Sequence, residues 1–344
     1  MNNIREKMDR SQFEKIISSI TIPEDTPQDE LQLILKPIRE SLLELLPQRL
    51  YKYRSCCKNH INAFKDDQLW LSTSDLYNDP FDTLIRFNGE EIMNAFSLMR
   101  SPEMREAIIK HIADGGNYPQ PVDNQITEEY KKSNQEIAEQ IIQNGSIPDF
   151  NEASLKNLEL QVFLAIQIIP LVMQHMSTSA CFSEDVNSIL MWSHYSDLHK
   201  GFALGYDLSP YLFPNKYNLG LFPVIYNNQR YDATEYLCYL IGTIMKLPLK
   251  NADKLSQIKL LLYKAKEWEY EKEWRLINGQ GQDIFKAHAE PYQICPNSIY
   301  YGCHISNEDF NTLHTIAKEK NLLEYKMQID NAANTYEMKA IEIT

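Results

Sequence analysis

The chain has 344 residues, of which 43% are hydrophobic and 24% are charged, and this is the composition of a globular protein. A formal net charge of −13 excludes an extended nucleic-acid-binding surface, because affinity for phosphate comes largely from Lys and Arg. The cysteines show no paired spacing, and the longest apolar run is too short to cross a membrane. We therefore expect free thiols, no metal site, no membrane partner and a cytoplasmic location.

Residues 1–48 are predicted to form an N-terminal helical extension. Residues 1–26 are polar and mixed, and Pro23 and Pro27 bracket a segment that we expect to be irregular. Apolar residues at helical spacing predict a helix over residues 29–46, in which Pro37 introduces a kink or a break into two helices. Residues 49–344 are expected to form a single α+β domain.

Two strand patterns open this domain. In residues 50–54 (LYKYR), tyrosines alternate with Lys52 and Arg54, as in a half-buried strand. A short helix over residues 58–66 follows. The second strand, residues 69–71, runs into the triplet Ser72-Thr73-Ser74 and then to a turn at Asn78-Asp79-Pro80.

A helical insertion is predicted over about residues 90–175. Its helical pattern covers residues 90–143 apart from a loop at 114–124. A further apolar helix over residues 154–169 is expected to bend or end at Pro170.

A second group of strands follows the insertion. Strands are predicted at residues 179–183, 201–207, 222–226, 273–277, 299–304, 323–328 and 336–343, with helices over 231–245, 252–268 and 308–320. The order of strands, then helices, then strands lacks a βαβ alternation. The predicted fold is therefore α+β, with a mixed or antiparallel split sheet and flanking helices.

Four clusters carry side chains suited to chemistry. Neither a glycine-rich phosphate motif nor a common hydrolase motif occurs. The first cluster is Tyr53 with Arg54, whose planar guanidinium is suited to binding phosphate. The second is Ser72–Ser74 with Asn78, Asp79 and Asp82, and the third is Trp192–His199. The fourth is Glu273 with Arg275, two side chains on the same face of a predicted strand. Each cluster also has a structural interpretation, namely a salt bridge, a capped turn, aromatic packing or a solvated face.

The motifs YKYRS, LWLSTSDLYNDPFD, LMWSHY and EWRLI resemble those of an uncharacterised bacterial domain-of-unknown-function family over about residues 50–305. More distantly, an arginine on a first strand, Ser-Thr-Ser after a second and a glutamate on a later strand are similar to the Arg–Ser–Glu pattern of ADP-ribosyltransferases. This resemblance implies an NAD-dependent transferase that moves ADP-ribose to an unidentified acceptor, in a phage-defence or toxin setting.

The same resemblance implies roles for single residues. Arg54 would contact the NAD diphosphate, and Ser72 would support the nicotinamide ribose or the glutamate. Glu273 would hold a ribose hydroxyl and stabilise the oxocarbenium-like state as nicotinamide leaves. The remaining residues expected to contact NAD are Tyr53, Ser74, Trp192 and His194.

Several alternatives stay open. Arg54 precedes Ser72 by 18 residues. This spacing is closer to that of the His–Tyr–Glu branch of ADP-ribosyltransferases, and the residue at the histidine position of that branch would be Tyr53 or Arg54. A second Ser-Thr-Ser occurs at 177–179, and E-x-E pairs occur at both 269/271 and 271/273. One alternative to the transferase is that the chain is a metal-dependent nuclease or a nucleotide-responsive defence protein. Its divalent cation would be bound by Asp79, Asp82, His194 and Glu273. Another is a non-catalytic module with an aromatic docking surface.

Overall fold

The computed structural model describes residues 8–23, 26–97, 152–212, 219–244, 253–279, 285–330 and 333–343. Within these ranges, ten α-helices flank an open, mostly antiparallel sheet of ten strands, so the predicted α+β class is confirmed. No helix in the described ranges has the length and apolar character needed to span a membrane.

The elements are numbered here in chain order. The helices are α1 (Arg10–Ser19), α2 (Gln28–Ile34), α3 (Lys36–Leu45), α4 (Lys58–Lys65), α5 (Gly89–Ser97), α6 (Glu152–Met173), α7 (Ile189–Tyr195), α8 (Thr234–Ile244), α9 (Ser256–Leu262) and α10 (Asn307–Glu319). The strands are β1 (Leu50–Arg54), β2 (Gln68–Ser72), β3 (Thr178–Ser183), β4 (Phe202–Tyr206), β5 (Leu219–Pro223), β6 (Ile225–Asn227), β7 (Tyr263–Ala265), β8 (Glu273–Asn278), β9 (Ala289–Gln293), β10 (Ser298–Tyr301), β11 (Leu323–Ile329) and β12 (Met338–Glu342).

Three helices precede the first strand. α1 lies within the predicted helical extension, in which the sequence pattern had indicated a helix only over residues 29–46. The helix begins at a capping box, in which the side chains of Asp9 and Gln12 each accept the other residue's backbone N–H. The predicted break at Pro37 is confirmed, because α2 ends at Ile34 and α3 starts at Lys36 with the proline in its first turn.

The predicted helical insertion is described only at its two ends, α5 and α6. The helices and the loop predicted between residues 98 and 151 lie outside the described residues. α6 runs through Pro170 to Met173, so of the bend or end expected at the proline, the end does not occur. Buried Ile166, Ile169 and Met173 hold this last turn in the core, and this packing offsets the single backbone hydrogen bond that a proline removes.

The helix predicted over residues 252–268 is also corrected. It ends at Leu262, and β7 follows, paired in parallel with β6. Lys266–Glu271 then form a 3-10 helix. Tertiary pairing with β6 therefore overrides the local helical pattern.

The sheet splits at β3. Strand β8 pairs with all six residues of β3, so β1 and β2 must share the other edge of β3. On that edge Ser183 pairs with Tyr51 of β1, and Ser179 pairs with Ser72 of β2. Among the described strands none pairs with residues 180–182 on this edge. β1 and β2 therefore diverge and leave a gap between them.

On the edge of β1 that faces away from β3, the backbone of Gly201 lies so close to Arg54 that a side chain would not fit. A Cβ atom added there would lie 2.1 Å from the Arg54 carbonyl oxygen and 2.9 Å from that of Ser196. We expect Gly201→Ala to lower the free energy of unfolding by about 3 kcal/mol, because backbone atoms cannot move away cheaply. Urea denaturation of this variant and of Gly279→Ala, whose Cβ would meet no atom within 4 Å, measures the effect. Equal stability of the two variants would contradict the prediction.

Candidate functional site

A cavity of about 750 Å³ lies at the gap between β1 and β2. The two diverging strands form its walls, β3 crosses its base, and α4 lies at one side. The lining residues used below are Lys52, Tyr53, Arg54, His60, Trp70, Ser72, Asp82, Cys181, Tyr195, Lys264, Glu271 and Glu273. The volume is in the range of about 300–1,000 Å³ that is usual for small-molecule sites.

The structure places Arg54, Ser72 and Glu273 around this one cavity. Arg54 is the last residue of β1 and Ser72 the last of β2, while Glu273 is the first residue of β8. β8 and β1 lie on opposite edges of β3, where Ser183 pairs with both Glu273 and Tyr51. The three residues predicted to act together therefore share a site.

The Glu273 side chain is buried and ionised. Its Oε1 accepts a hydrogen bond from Arg275 Nε at 2.7 Å, and its Oε2 accepts one from Lys264 Nζ at 2.9 Å. Burial alone would raise the pKa of Glu273, but the charges of Arg275 and Lys264 hold that pKa well below its usual value. Glu273 is therefore a fixed negative charge at the base of the cavity. The predicted common orientation of Glu273 and Arg275 is confirmed.

Lys264 connects Glu273 to a second glutamate, Glu271. Lys264 Nζ donates to Glu271 Oε2 at 2.6 Å, and the Tyr195 hydroxyl donates to Glu271 Oε1 at 2.6 Å. Between the two glutamates Lys272 has a φ of 45°, and this left-handed residue lets both carboxylates reach the same lysine. Burial raises the pKa of Glu271 despite the nearby Lys264 charge. Glu269 is exposed, so the pair that lines the cavity is 271/273.

Asp82 completes this charge cluster. Its Oδ2 accepts from Arg275 Nη2 at 2.6 Å and lies 3.6 Å from Lys264 Nζ. Three carboxylates, Asp82, Glu271 and Glu273, thus face two cations, Lys264 and Arg275, which gives the cluster a net charge of −1 when all are ionised. Burial raises the pKa of Asp82 in spite of the Arg275 charge. With all five groups ionised, the cluster presents a negative electrostatic potential to the cavity.

The Ser72-Thr73-Ser74 triplet divides into one free hydroxyl and two structural ones. The Ser72 hydroxyl lines the cavity and has no hydrogen-bond partner among the described residues. Thr73 Oγ1 donates to the His288 carbonyl, and Ser74 Oγ donates to the Gln174 carbonyl. Only Ser72 is therefore placed to bind a ligand.

The other Ser-Thr-Ser triplet is structural throughout. Ser177 Oγ accepts from Gln257, Thr178 Oγ1 donates to Glu290 Oε1, and Ser179 hydrogen bonds to the Tyr77 hydroxyl. The unpaired hydroxyl of Ser72 distinguishes the two triplets, whereas their sequence pattern is identical.

Two cations without an anionic partner line the β1 side. The Arg54 guanidinium makes no hydrogen bond or ion pair within the described residues. Lys52 Nζ donates at 2.9 Å to the carbonyl of Cys181, in the unpaired part of β3. Burial lowers the pKa of Arg54 and lowers that of Lys52 to about 7. The two side chains are placed to bind an anion.

Trp70 gives the β2 side an aromatic surface. Its side chain alternates along β2 with the buried Leu69 and Leu71, lines the cavity and is 42% exposed. An indole in such a position can stack on an aromatic ring of a ligand. The two cations and the exposed indole thus lie on opposite walls of the cavity.

Four other predicted ligand residues have different positions. Tyr53 lines the cavity, but its hydroxyl donates to the Asp185 carbonyl at 2.5 Å. Trp192 is fully buried and packs edge to face against Tyr53 at 5.2 Å. His194 is exposed and lies against the Tyr270 ring, and Ser74 makes the Gln174 contact described above. The last three are outside the lining of the cavity that Arg54, Ser72 and Glu273 share, so the structure does not bring them to that site.

The residues proposed for a nuclease centre do not group together. Asp82 and Glu273 share Arg275 and Lys264, but Asp79 lines a separate cavity and His194 is exposed. In the part of the chain that the structure describes, no three His, Cys, Asp or Glu side chains are grouped as metal ligands. All six cysteines are free.

Two functional candidates were not identified from the sequence, Lys52 and Lys264. Lys52 had a detectable signal, since it shares a strand face with Arg54 in the alternating pattern of β1. Lys264 had none, because it lies in a segment whose pattern predicts a helix. Only the pairing of β7 with β6 places it next to Glu271 and Glu273.

Comparison with protein families gives one match. Residues 191–276 match the model of a family described as a protein of unknown function (DUF2971). None of the curated proteins and none of the solved structures matches the chain. The matched segment runs from α7 to β8 and includes Lys264, Glu271 and Glu273. Over these residues the chain is similar to a family of unknown function, as its MWSHY and EWR motifs indicate.

Proposed function

We propose that this protein is an ADP-ribosyltransferase-like enzyme that binds NAD in the cavity between β1 and β2. The observation that carries the proposal is the convergence of Arg54, Ser72 and Glu273 on one cavity. They come from three strands and span more than half of the chain.

The charges of the cavity suit a dinucleotide. Arg54 and Lys52 have no carboxylate partner, and a diphosphate would supply two negative charges to them. Trp70 provides a ring surface for a base, and the volume is adequate for part or all of such a ligand.

The chemistry that the cavity would support is cleavage of the bond between the ribose C1′ and the nicotinamide nitrogen. The electron pair of this bond stays on the nitrogen, so nicotinamide leaves as a neutral molecule. Positive charge then develops on the ribose until an acceptor nucleophile adds to C1′ and gives up a proton. Glu273 and the net negative cluster behind it favour that developing charge.

Ser72 has a positioning role in this proposal. Its hydroxyl lies at the end of β2 without a protein partner and can both donate and accept a hydrogen bond. A ribose hydroxyl is a suitable partner. Each oxygen of Glu273 has two lone-pair sites, so Oε1 retains acceptor capacity beyond its bond from Arg275.

Nicotinamide release from NAD tests the proposed function. We expect turnover by the wild type. For Arg54→Gln we expect a KM for NAD that is about 10- to 100-fold higher, since a charge-assisted hydrogen bond contributes about 1.5–3 kcal/mol. Arg86→Gln is the control, because Arg86 pairs with Asp232 at the surface, outside the cavity lining. Absence of nicotinamide release by the folded wild type would overturn the proposal.

A further inference from the structure

The Lys52 ammonium occupies the gap in the sheet. Its one hydrogen bond within the described residues is to the Cys181 carbonyl, at the point where β3 has no strand partner. It also lies 5.3 Å from the centre of the Phe182 ring. A neutral carbonyl and an aromatic ring stabilise a cation much less than a carboxylate does.

Charged and titratable groups face Lys52 from four elements. Arg54 lies two residues along β1, His60 is on α4, Cys181 is on β3 and Glu273 is on β8. Arg54 disfavours the charged form of Lys52, while Glu273 favours it from the base of the cavity. Burial, with the Arg54 charge, lowers the pKa of Lys52 to about 7. Burial and the same two cations lower the pKa of His60, so neutral imidazole is favoured there.

We infer that Lys52 and Arg54 together bind a phosphate group of the ligand, and that the anion binds along with a proton taken up by Lys52. Deleting either cation would leave the other to neutralise the phosphate alone. The inference rests on the same cavity as the proposed function, but it concerns binding and requires no turnover. It assigns a change of protonation to Lys52 on binding and makes the contact of Lys52 with the ligand dependent on pH.

The direction of the pH dependence follows from the position of Lys52. A bound phosphate stabilises the ammonium, so the pKa of Lys52 is higher in the complex than in the free protein. Below neutral pH Lys52 is charged in both states and no proton is exchanged. Above neutral pH the free protein has lost the proton that the complex keeps, so affinity falls by up to about tenfold per pH unit.

Calorimetric titration with inorganic pyrophosphate between about pH 6 and pH 9 tests the inference. Comparison with Lys52→Arg controls for the ionisation of pyrophosphate itself. Arginine stays charged over this pH range, so the two proteins differ only in whether residue 52 titrates. The wild type should lose affinity relative to Lys52→Arg by up to about tenfold per unit above neutrality. Its binding enthalpy should vary with the ionisation enthalpy of the buffer more than that of Lys52→Arg, and this difference reports proton uptake by Lys52.

Two further variants make the test specific. Lys52→Met should bind pyrophosphate at least about tenfold more weakly than the wild type at pH 6, since it lacks one charge-assisted contact. Lys326→Arg should titrate like the wild type, because Lys326 is another lysine with a lowered pKa but lies on β11. Equal pH profiles for the wild type and Lys52→Arg would overturn the inference, as would absence of pyrophosphate binding.

The outcomes separate this inference from the proposed function. Proton-linked pyrophosphate binding without nicotinamide release from NAD would support the anion site and overturn the transferase. Nicotinamide release with equal pH profiles for the wild type and Lys52→Arg would support the transferase and overturn the role of Lys52.

Discussion

Glu273→Gln is expected to lower nicotinamide release by about 10²- to 10³-fold, the loss typical when one preorganised electrostatic contact to a transition state is removed. The substitution keeps the shape of the side chain and removes its charge. The cluster of Asp82, Glu271, Lys264 and Arg275 would then be neutral and would no longer favour positive charge on the ribose. Because this effect appears in the transition state, kcat should fall much more than the affinity for NAD.

The control for this variant is Glu324→Gln. Glu324 is also a buried carboxylate with several partners, accepting from the Tyr301 hydroxyl at 2.5 Å, but it lies on β11 outside the cavity lining. It should retain activity near that of the wild type. Denaturant unfolding of both variants confirms that each remains folded under the assay conditions. Unchanged kcat in a folded Glu273→Gln protein would exclude the proposed role.

Arg275→Met is expected to lower the free energy of unfolding by about 3–5 kcal/mol, the cost of removing one partner from a buried ion pair. The Arg275 side chain is fully buried and joins Asp82, Glu273 and the Leu261 carbonyl, with N–O distances of 2.6–2.7 Å. Without it, Lys264 alone would face three carboxylates. The midpoint of urea denaturation should shift accordingly.

Arg86→Met is the matched control for stability. Arg86 forms an ion pair of 2.7 Å with Asp232, but both side chains are largely exposed. Such pairs contribute at most about 1 kcal/mol. If Arg275→Met were no more destabilising than Arg86→Met, the buried cluster would not stabilise the folded protein in the way described.

Local patterns in the sequence were sufficient for several elements that surround the site. The alternation of tyrosines with Lys52 and Arg54 correctly predicted β1, and the proline at residue 37 correctly predicted the break between α2 and α3. Strands β11 and β12 were also predicted. These features depend on side-chain periodicity or on one restricted backbone dihedral angle, and both are readable from neighbouring residues.

Elements that depend on distant partners were predicted poorly. β7 lies in a helical pattern and becomes a strand because β6 pairs with it. β9 was not predicted, and its five residues pair along the whole of β2. In both cases the free energy of forming the strand comes from its neighbour, which a local pattern does not contain.

For the candidate site, the sequence by itself determined which residue types were available and which strands would carry them. It placed Arg54, Ser72 and Glu273 at the ends of three strands. Tertiary structure alone decided that these strand ends meet at a gap beside β3, because strand pairing is set by contacts between residues far apart in the chain. It also decided which hydroxyls and cations are left without partners, since hydrogen bonding depends on the whole packed environment.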